Sequence, residues 1–449
     1  MSKSSLLFII FICISQSLFS QKEKWTPLFD GKTLKGWNQK NGKAKYTVEN
    51  GEIVGYTVAN TTNSFLCTDK DYGDFILELD LKVDNAMNSG IQFRSESKPD
   101  YQNGRVHGYQ MEVDPTDRAW SGGIYDEARR EWLYIPNINE AGKKSFKMKG
   151  WNKYRIEAIG NSMRTWINGI PVANLIDDMT PKGFIALQVH AIYADMKEGM
   201  KIRWRNIRIQ TENLKPSAND NIPIINLLPN NLSAQEQAQG VKLLFNGKDF
   251  TGWRGIHQNG MPNKRWSVSD GILQISKSDG SQTGNDIVTT EEYSAFELTF
   301  DFKLTEGANS GVKYFVNEAL DSSASGIGLE FQLLDDERHP DAKLGAVGNR
   351  TLASLYDLIP SYKLQKRFQR KITDWQNGRI VVYPNNIVQH WLNGFKVVEY
   401  ERKSNIFDAL VARSKYAHYK NFGAGDKGPI LLQDHGEAAS FRNIKIRQL

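Results

Sequence analysis

The chain repeats itself, and no other feature restricts its fold as much. LFDGKTLKGW at 28–37 returns as LFNGKDFTGW at 244–253, and Asn88-Ser89-Gly90-Ile91 returns as Asn309-Ser310-Gly311-Val312. GWNKYRIEAIGNSMRTWINGIPV at 150–172 aligns with DWQNGRIVVYPNNIVQHWLNGFKV at 374–397, and RNIRI at 205–209 with RNIKI at 442–446. Matches in one order over the whole length mean that one domain occurs twice in tandem. A chain of 449 residues, 40% hydrophobic, has the material for two cores.

The boundaries follow. The segment 213–233, punctuated by Pro216, Pro223 and Pro229, reads as a linker between a first domain at 21–212 and a second at 234–449. Ser233 and Glu236 have capping-box spacing, so a short helix should open the second copy. Residues 1–20 combine Lys3, an apolar run from Leu6 to Ile14 and a small residue, Ser20, which is the pattern of a cleaved secretory signal. A periplasmic or secreted protein is expected, and no later segment is apolar for long enough to span a membrane. Cys13 would leave with the signal, so Cys67 would have no partner for a disulfide. The net charge of +6 is spread without a basic block and gives no case for nucleic acid.

Within each copy the apolar residues alternate. Phe75, Leu77, Leu79 and Leu81 share one side of a strand, as do Phe296, Leu298, Phe300 and Phe302. Asn168-Gly169 and Asn393-Gly394 are two-residue hairpin signals. Many short strands and few helices predict an all-β protein, a sandwich or jelly roll in each copy.

With these motifs in hand, the sequence resembles the family once called domain of unknown function 1080, associated with 3-keto-glucoside 1,2-lyase and 3-keto-2-hydroxy-glucal hydratase activities. LFNGKDFTGW, NSGVKYF, GLEFQLLDDERHPDAK, SLYDLI, QHWLNG and GPILLQDHG followed by FRNIKI carry the likeness in copy two. Copy one departs from it with HGYQMEVDPT and LQVHA. The resemblance implies concanavalin- or laminarinase-like β-sandwiches and a small-molecule sugar substrate, a 3-keto-glucoside. A ketone at C3 acidifies the C2 hydrogen, so the C1 oxygen can leave by β-elimination. Such a site needs a base, a group to meet the enolate oxygen and an acid for the leaving oxygen.

In copy two, Glu330 and Gln332 alternate with Leu329, Phe331 and Leu333, which places the polar pair opposite the core. Glu330 is the candidate base, Lys313 the candidate enolate stabiliser and His435 the candidate acid; each could instead be an ordinary surface or strand-end residue. Gln433, Asp434, Asp335 and Tyr356 are candidate substrate contacts. Asp335, Asp336 and His339 could hold a divalent ion, although such a run also suits a solvated loop; no other cofactor is indicated. Trp391 is expected in the core and His390 on the opposite face.

Copy one offers Glu112 and His107 as catalytic candidates, with Arg94, Gln110, Tyr125 and His190 as binding candidates. Gln110 and Glu112 stand where copy two has Glu330 and Gln332, with the types exchanged, and Arg94 could supply the cation that Gln92 cannot. Trp120, Tyr125, Trp132 and Tyr134 could form a sugar platform or pack a loop. Two other functions fit a sandwich: a non-catalytic carbohydrate-binding protein, and a retaining glycosidase using Glu112 and Asp114 on one strand face, with Pro115 against it.

Overall fold

The computed structural model describes residues 24–84, 87–193, 196–262, 264–280, 285–322 and 325–449. The signal-like segment 1–20 lies outside the described residues. Each copy is a β-sandwich of two sheets, with nine and seven strands in copy one and eight and five in copy two. In copy one the strand Phe75–Val83 lies between Asn152–Ile159 and Lys201–Gln210. The opposing sheet centres on Ser89–Ser95, between Gly108–Val113 and Gly183–Val189. Copy two repeats this plan with Phe296–Leu304 in one sheet and Asn309–Tyr314, Leu329–Leu334 and Leu431–Leu432 in the other.

The alternation read from sequence is what fills the cores. Phe75, Leu77, Leu79 and Leu81 meet Ile91, Tyr109, Met111 and Leu187 in copy one, while Phe296, Leu298, Phe300 and Phe302 meet Val312, Tyr314, Phe331 and Leu432 in copy two. Asn168-Gly169 and Asn393-Gly394 take positive φ at both residues, as a type I′ hairpin requires. The repeated LF-x-GK-x-x-x-GW motif is a closed loop. Asp30 and Asn246 accept from the backbone of Lys32 and Lys248, and Trp37 and Trp253 donate their indole N–H to Leu28 O (2.8 Å) and Leu244 O (2.6 Å). That repeat is architectural.

The connecting segment is a strap rather than a free linker. Ile225–Asn226 adds a parallel edge strand beside Ile170–Ile176, and buried Arg164 donates to Ser217 O, Ala218 O and Asp220. Ser233 then caps Ala234–Ala238 in the expected capping box, whose Glu236 reaches Lys445 Nζ (2.8 Å) and Asn226 (2.6 Å). The copies also touch through Trp120, whose ring packs on Phe368 (5.2 Å) and Phe395 (5.8 Å). A cleft of about 560 Å³ between them is lined by Trp132, Ile135, Trp375, Arg379 and Trp391 among others.

One sequence-based expectation is corrected here, and one open choice is decided. His390 lies in the core, bonded to Tyr314 Oη (2.8 Å) and Ala353 O (3.1 Å), and burial pushes its pKa down to about 4. Trp391 faces outward under the Arg379 guanidinium. Alternation separates the two residues but does not say which side is inner; Val388 and Leu392, both buried, share the side of His390. The aromatic platform also dissolves. Trp120 and Tyr134 are buried, Tyr134 donating to Pro223 O (2.9 Å), and only Tyr125 and Trp132 keep partly open rings.

Candidate active site

In copy two the outer face of the five-stranded sheet carries a buried charge cluster. Lys313 and Glu330 are registered directly across the pair Asn309–Tyr314 and Leu329–Leu334, on the side away from Val312, Tyr314, Leu329 and Phe331. Lys313 Nζ donates to Gly326 O (2.9 Å) and stands 3.7 Å from Asp286 Oδ2. Asp286 in turn accepts from the backbone N–H of Asp434 (2.9 Å) and Gly326 (3.1 Å). Gln332, with its amide nitrogen turned inward, donates to Glu330 Oε1 (3.2 Å) and Ser310 O (3.0 Å).

The repeated Asn-Ser-Gly explains how a carboxylate fits there. A Cβ at Gly311 would collide with the Glu330 carboxyl, and one at Gly90 would collide with the Gln110 amide. Glycine at both positions lets a neighbouring strand's side chain lie flat over the backbone.

Burial holds the carboxyls of Glu330 and Asp286 above the usual carboxylate range, with Lys313 opposing the shift in both. His435 is close enough to act electrostatically on both groups and lies at the exposed mouth, its Nδ1 3.1 Å from Glu437 Oε2. The wall is completed by Tyr356, which donates to Asp341 Oδ2 (2.8 Å) and has Lys415 Nζ over its ring at 4.2 Å. Lys415 and the buried Tyr416 come from 402–428, a segment containing the helix Asn405–Ala412. Copy one has only 177–182 at the corresponding connection. The Gln433 Oε1 is buried with no partner.

Other candidates are already occupied. Asp434 is held by Arg265 (2.7 Å) and by the N–H of Gly436, so it organises the strand end. Asp335 accepts from the backbone of Gly307, Glu337 and Arg338, and Asp336 accepts from Leu352 N; both are turn anchors, and the proposed Asp335–Asp336–His339 ion site does not form. His339 instead groups with His435 and Glu437.

Copy one has the same frame with different contents. Its outer face carries a chain in which Gln92 donates to Gln110 (2.6 Å), Gln110 to Glu112 (2.9 Å) and Asn88 to Glu112. Register places Gln92 where copy two has Lys313, and Phe65 where it has Asp286. Arg94 does not replace the lysine. Positive φ at Arg94 turns its side chain away to Gly73 O, Gly160 O and Asp74, where it ties two turns together. His107 is also elsewhere, its ring tilted against Tyr101 and 3.7 Å from Glu96, five residues and therefore roughly 16 Å along the strand from Glu112. Tyr125 is registered opposite Gln110, and His190 ends its strand with Nδ1 on Ala191 O (2.7 Å). Gln188, beside them, is fully buried with neither amide atom partnered. The Asp114 carboxylate is spent on Thr116, Arg118 and the Trp120 N–H, so the two-carboxylate glycosidase face is not assembled.

Burial raises Glu112 to about 7 despite two amide donors. A folded-state value above the unfolded one favours folding at low pH and loses that contribution as pH rises from about 4.5 through about 7. Denaturation of wild type and Glu112→Gln across pH 5–8 should therefore show the wild type losing ground by up to about 1.4 kcal/mol per pH unit. Parallel pH curves for the two proteins would place Glu112 in a solvated setting.

Of the residues that matter here, Asp286, Lys415, Tyr416, Glu437 and Gln188 went unread in the sequence. Only Glu437 and Gln188 had a signal, lying beside the repeated strand end at 183–191 and 428–436.

Comparison with known proteins covers both copies. Residues 24–210 and 240–447 each match the family model of the 3-keto-alpha-glucoside-1,2-lyase-like domain. A 3-keto-disaccharide hydrolase of Bacteroides thetaiotaomicron is 33% identical over 235 residues, 47% of this chain and 79% of the relative. Two crystal structures of candidate glycosyl hydrolases from Parabacteroides distasonis are 31% and 27% identical. They match 49% and 46% of this chain and 99% of their own, with TM-scores of 0.44 and 0.35.

Proposed function

The chain belongs to the 3-keto-alpha-glucoside-1,2-lyase-like family, and from that premise we propose that copy two cleaves 3-keto-glucosides by β-elimination within an overall glycoside hydrolysis. The observation that carries this reading is the buried Glu330–Lys313 pair, set cross-strand on one polar face. Glu330, made more basic by burial, takes the C2 proton. The Lys313 ammonium meets the charge that develops on the C3 oxygen. The departing C1 oxygen takes its proton at the mouth, where His435 and Tyr356 stand. Gln433, whose buried carbonyl lacks a donor, is suited to a sugar hydroxyl. Water addition to the unsaturated product uses the same groups in reverse.

Copy one is read as a sugar-binding module. Its three central strands contribute no cation to the polar face, so the enolate oxygen has no charged partner there of the kind Lys313 offers in copy two. Gln188 still offers a buried, unpartnered amide to a ligand. The signal-like segment 1–20 supports a periplasmic or secreted setting.

Incubating the protein with a glucoside and with its 3-keto form tests the assignment through aglycone release. Release from the keto sugar alone supports elimination. Release from both would make it a glycosidase, and binding without release would leave a lectin.

A further inference from the structure

The structure assigns a divalent transition-metal site to His339, His435 and Glu437 at the mouth of the copy-two face. One ligand-type atom from each of these three side chains lies within 4.8 Å of the others. They come from distant parts of the chain, His339 from the turn before 340–343 and the other two from the strand end at 435–437. Local sequence alone would not bring them together.

The spacing suits shared ligation. Two ligands about 2.1 Å from one ion lie about 3.0 Å apart at an octahedral angle and about 3.4 Å apart at a tetrahedral one. The separation of His435 Nδ1 from Glu437 Oε2 is 3.1 Å. The two imidazole rings stand nearly perpendicular, 79° between planes, with centroids 5.8 Å apart, so they are not stacked face to face. His339 Nδ1 accepts from Asp341 N at 3.2 Å. Ligation through its other nitrogen exchanges that long neutral hydrogen bond for a coordination bond. Two imidazoles and one carboxylate favour zinc, cobalt or manganese over calcium and magnesium, which seek oxygen-only shells. Three protein ligands leave positions open for a substrate oxygen.

Copy one lacks the set. His190 matches His435, but Ile192 stands where copy two has Glu437, and Ala119 falls at the count of His339. The site is a property of copy two, the copy with the charged face. If that copy eliminates, an ion here would act on the leaving sugar oxygen as a Lewis acid in place of a proton from His435; that consequence rests on the proposed function, whereas ion binding does not.

The test uses the full-length protein without a histidine tag, stripped with a chelator and titrated with Co²⁺. One equivalent should bind, with a visible ligand-field absorption stronger than that of hydrated Co²⁺, and Zn²⁺ should displace it while millimolar Mg²⁺ does not. His435→Ala and Glu437→Gln alter side chains at the mouth and should each weaken binding by at least about 100-fold with the circular dichroism spectrum unchanged. His418→Ala, at an exposed ring beside Tyr419, should bind as wild type. No stoichiometric Co²⁺ binding, or full affinity retained in both mouth variants, overturns the site. Aglycone release is not part of the readout, so a failed lyase assignment would leave an observed ion site standing.

Discussion

Glu330→Gln should lower turnover of a 3-keto-glucoside by about 10²- to 10⁴-fold, the range a positioned general base contributes. The exchange keeps the shape that fits over Gly311 and removes only the proton-accepting charge. It also deletes a buried carboxyl whose ionisation burial disfavours, so the fold should not suffer. In the wild type the base acts deprotonated, so kcat/KM should rise with pH through a value above the ordinary glutamate range, and that limb should vanish in the variant. Glu112→Gln is the internal control. It alters the matching face of copy one, where no cation waits for the enolate, and should leave elimination near wild type. Turnover retained in Glu330→Gln but abolished in Glu112→Gln would move the active site to copy one. If neither substitution mattered, the polar faces would not be the site.

The parts of this site that were legible in the sequence are those fixed by local geometry. A period of two puts Glu330 and Gln332 on one side and three apolar residues on the other, and the core side follows from the apolar set. The same period misled at His390 and Trp391, because weighing the two rings against each other leaves out the flanking Val388 and Leu392, which mark the side of His390 as the inner one. Arg94 shows a second failure. Parity predicts it beside Gln92, and one residue of positive φ at its own position turns it to the edge turns. Asp286 was hidden for a third reason. It precedes the short strand Ile287–Thr289 and reaches Lys313 only because the strand Leu431–Leu432 lies between those two strands in the sheet, an order no local pattern encodes. Lys415 and Tyr416 belong to a connection that is only 177–182 in the first copy, so the repeat could not point to them.

Lys313→Met should cost about 10²- to 10³-fold in kcat with KM little changed, because the ammonium is needed most when charge develops on the ketone oxygen. It should also destabilise the protein, by about 3–5 kcal/mol at neutral pH, since it leaves Asp286 and Glu330 buried without their shared cation. Both carboxyls already have raised values, so this loss should be small at low pH and grow as pH rises through them. Catalysis and folding are then separable. Adding Asp286→Asn removes one orphaned charge and should recover much of the stability while recovering none of the rate. The two copies already differ in this way, since copy one has Gln92 for Lys313 and also Phe65 for Asp286, with both charges absent together. A double variant that regains its fold and also regains turnover would show that Lys313 holds Asp286 in place and never meets the enolate.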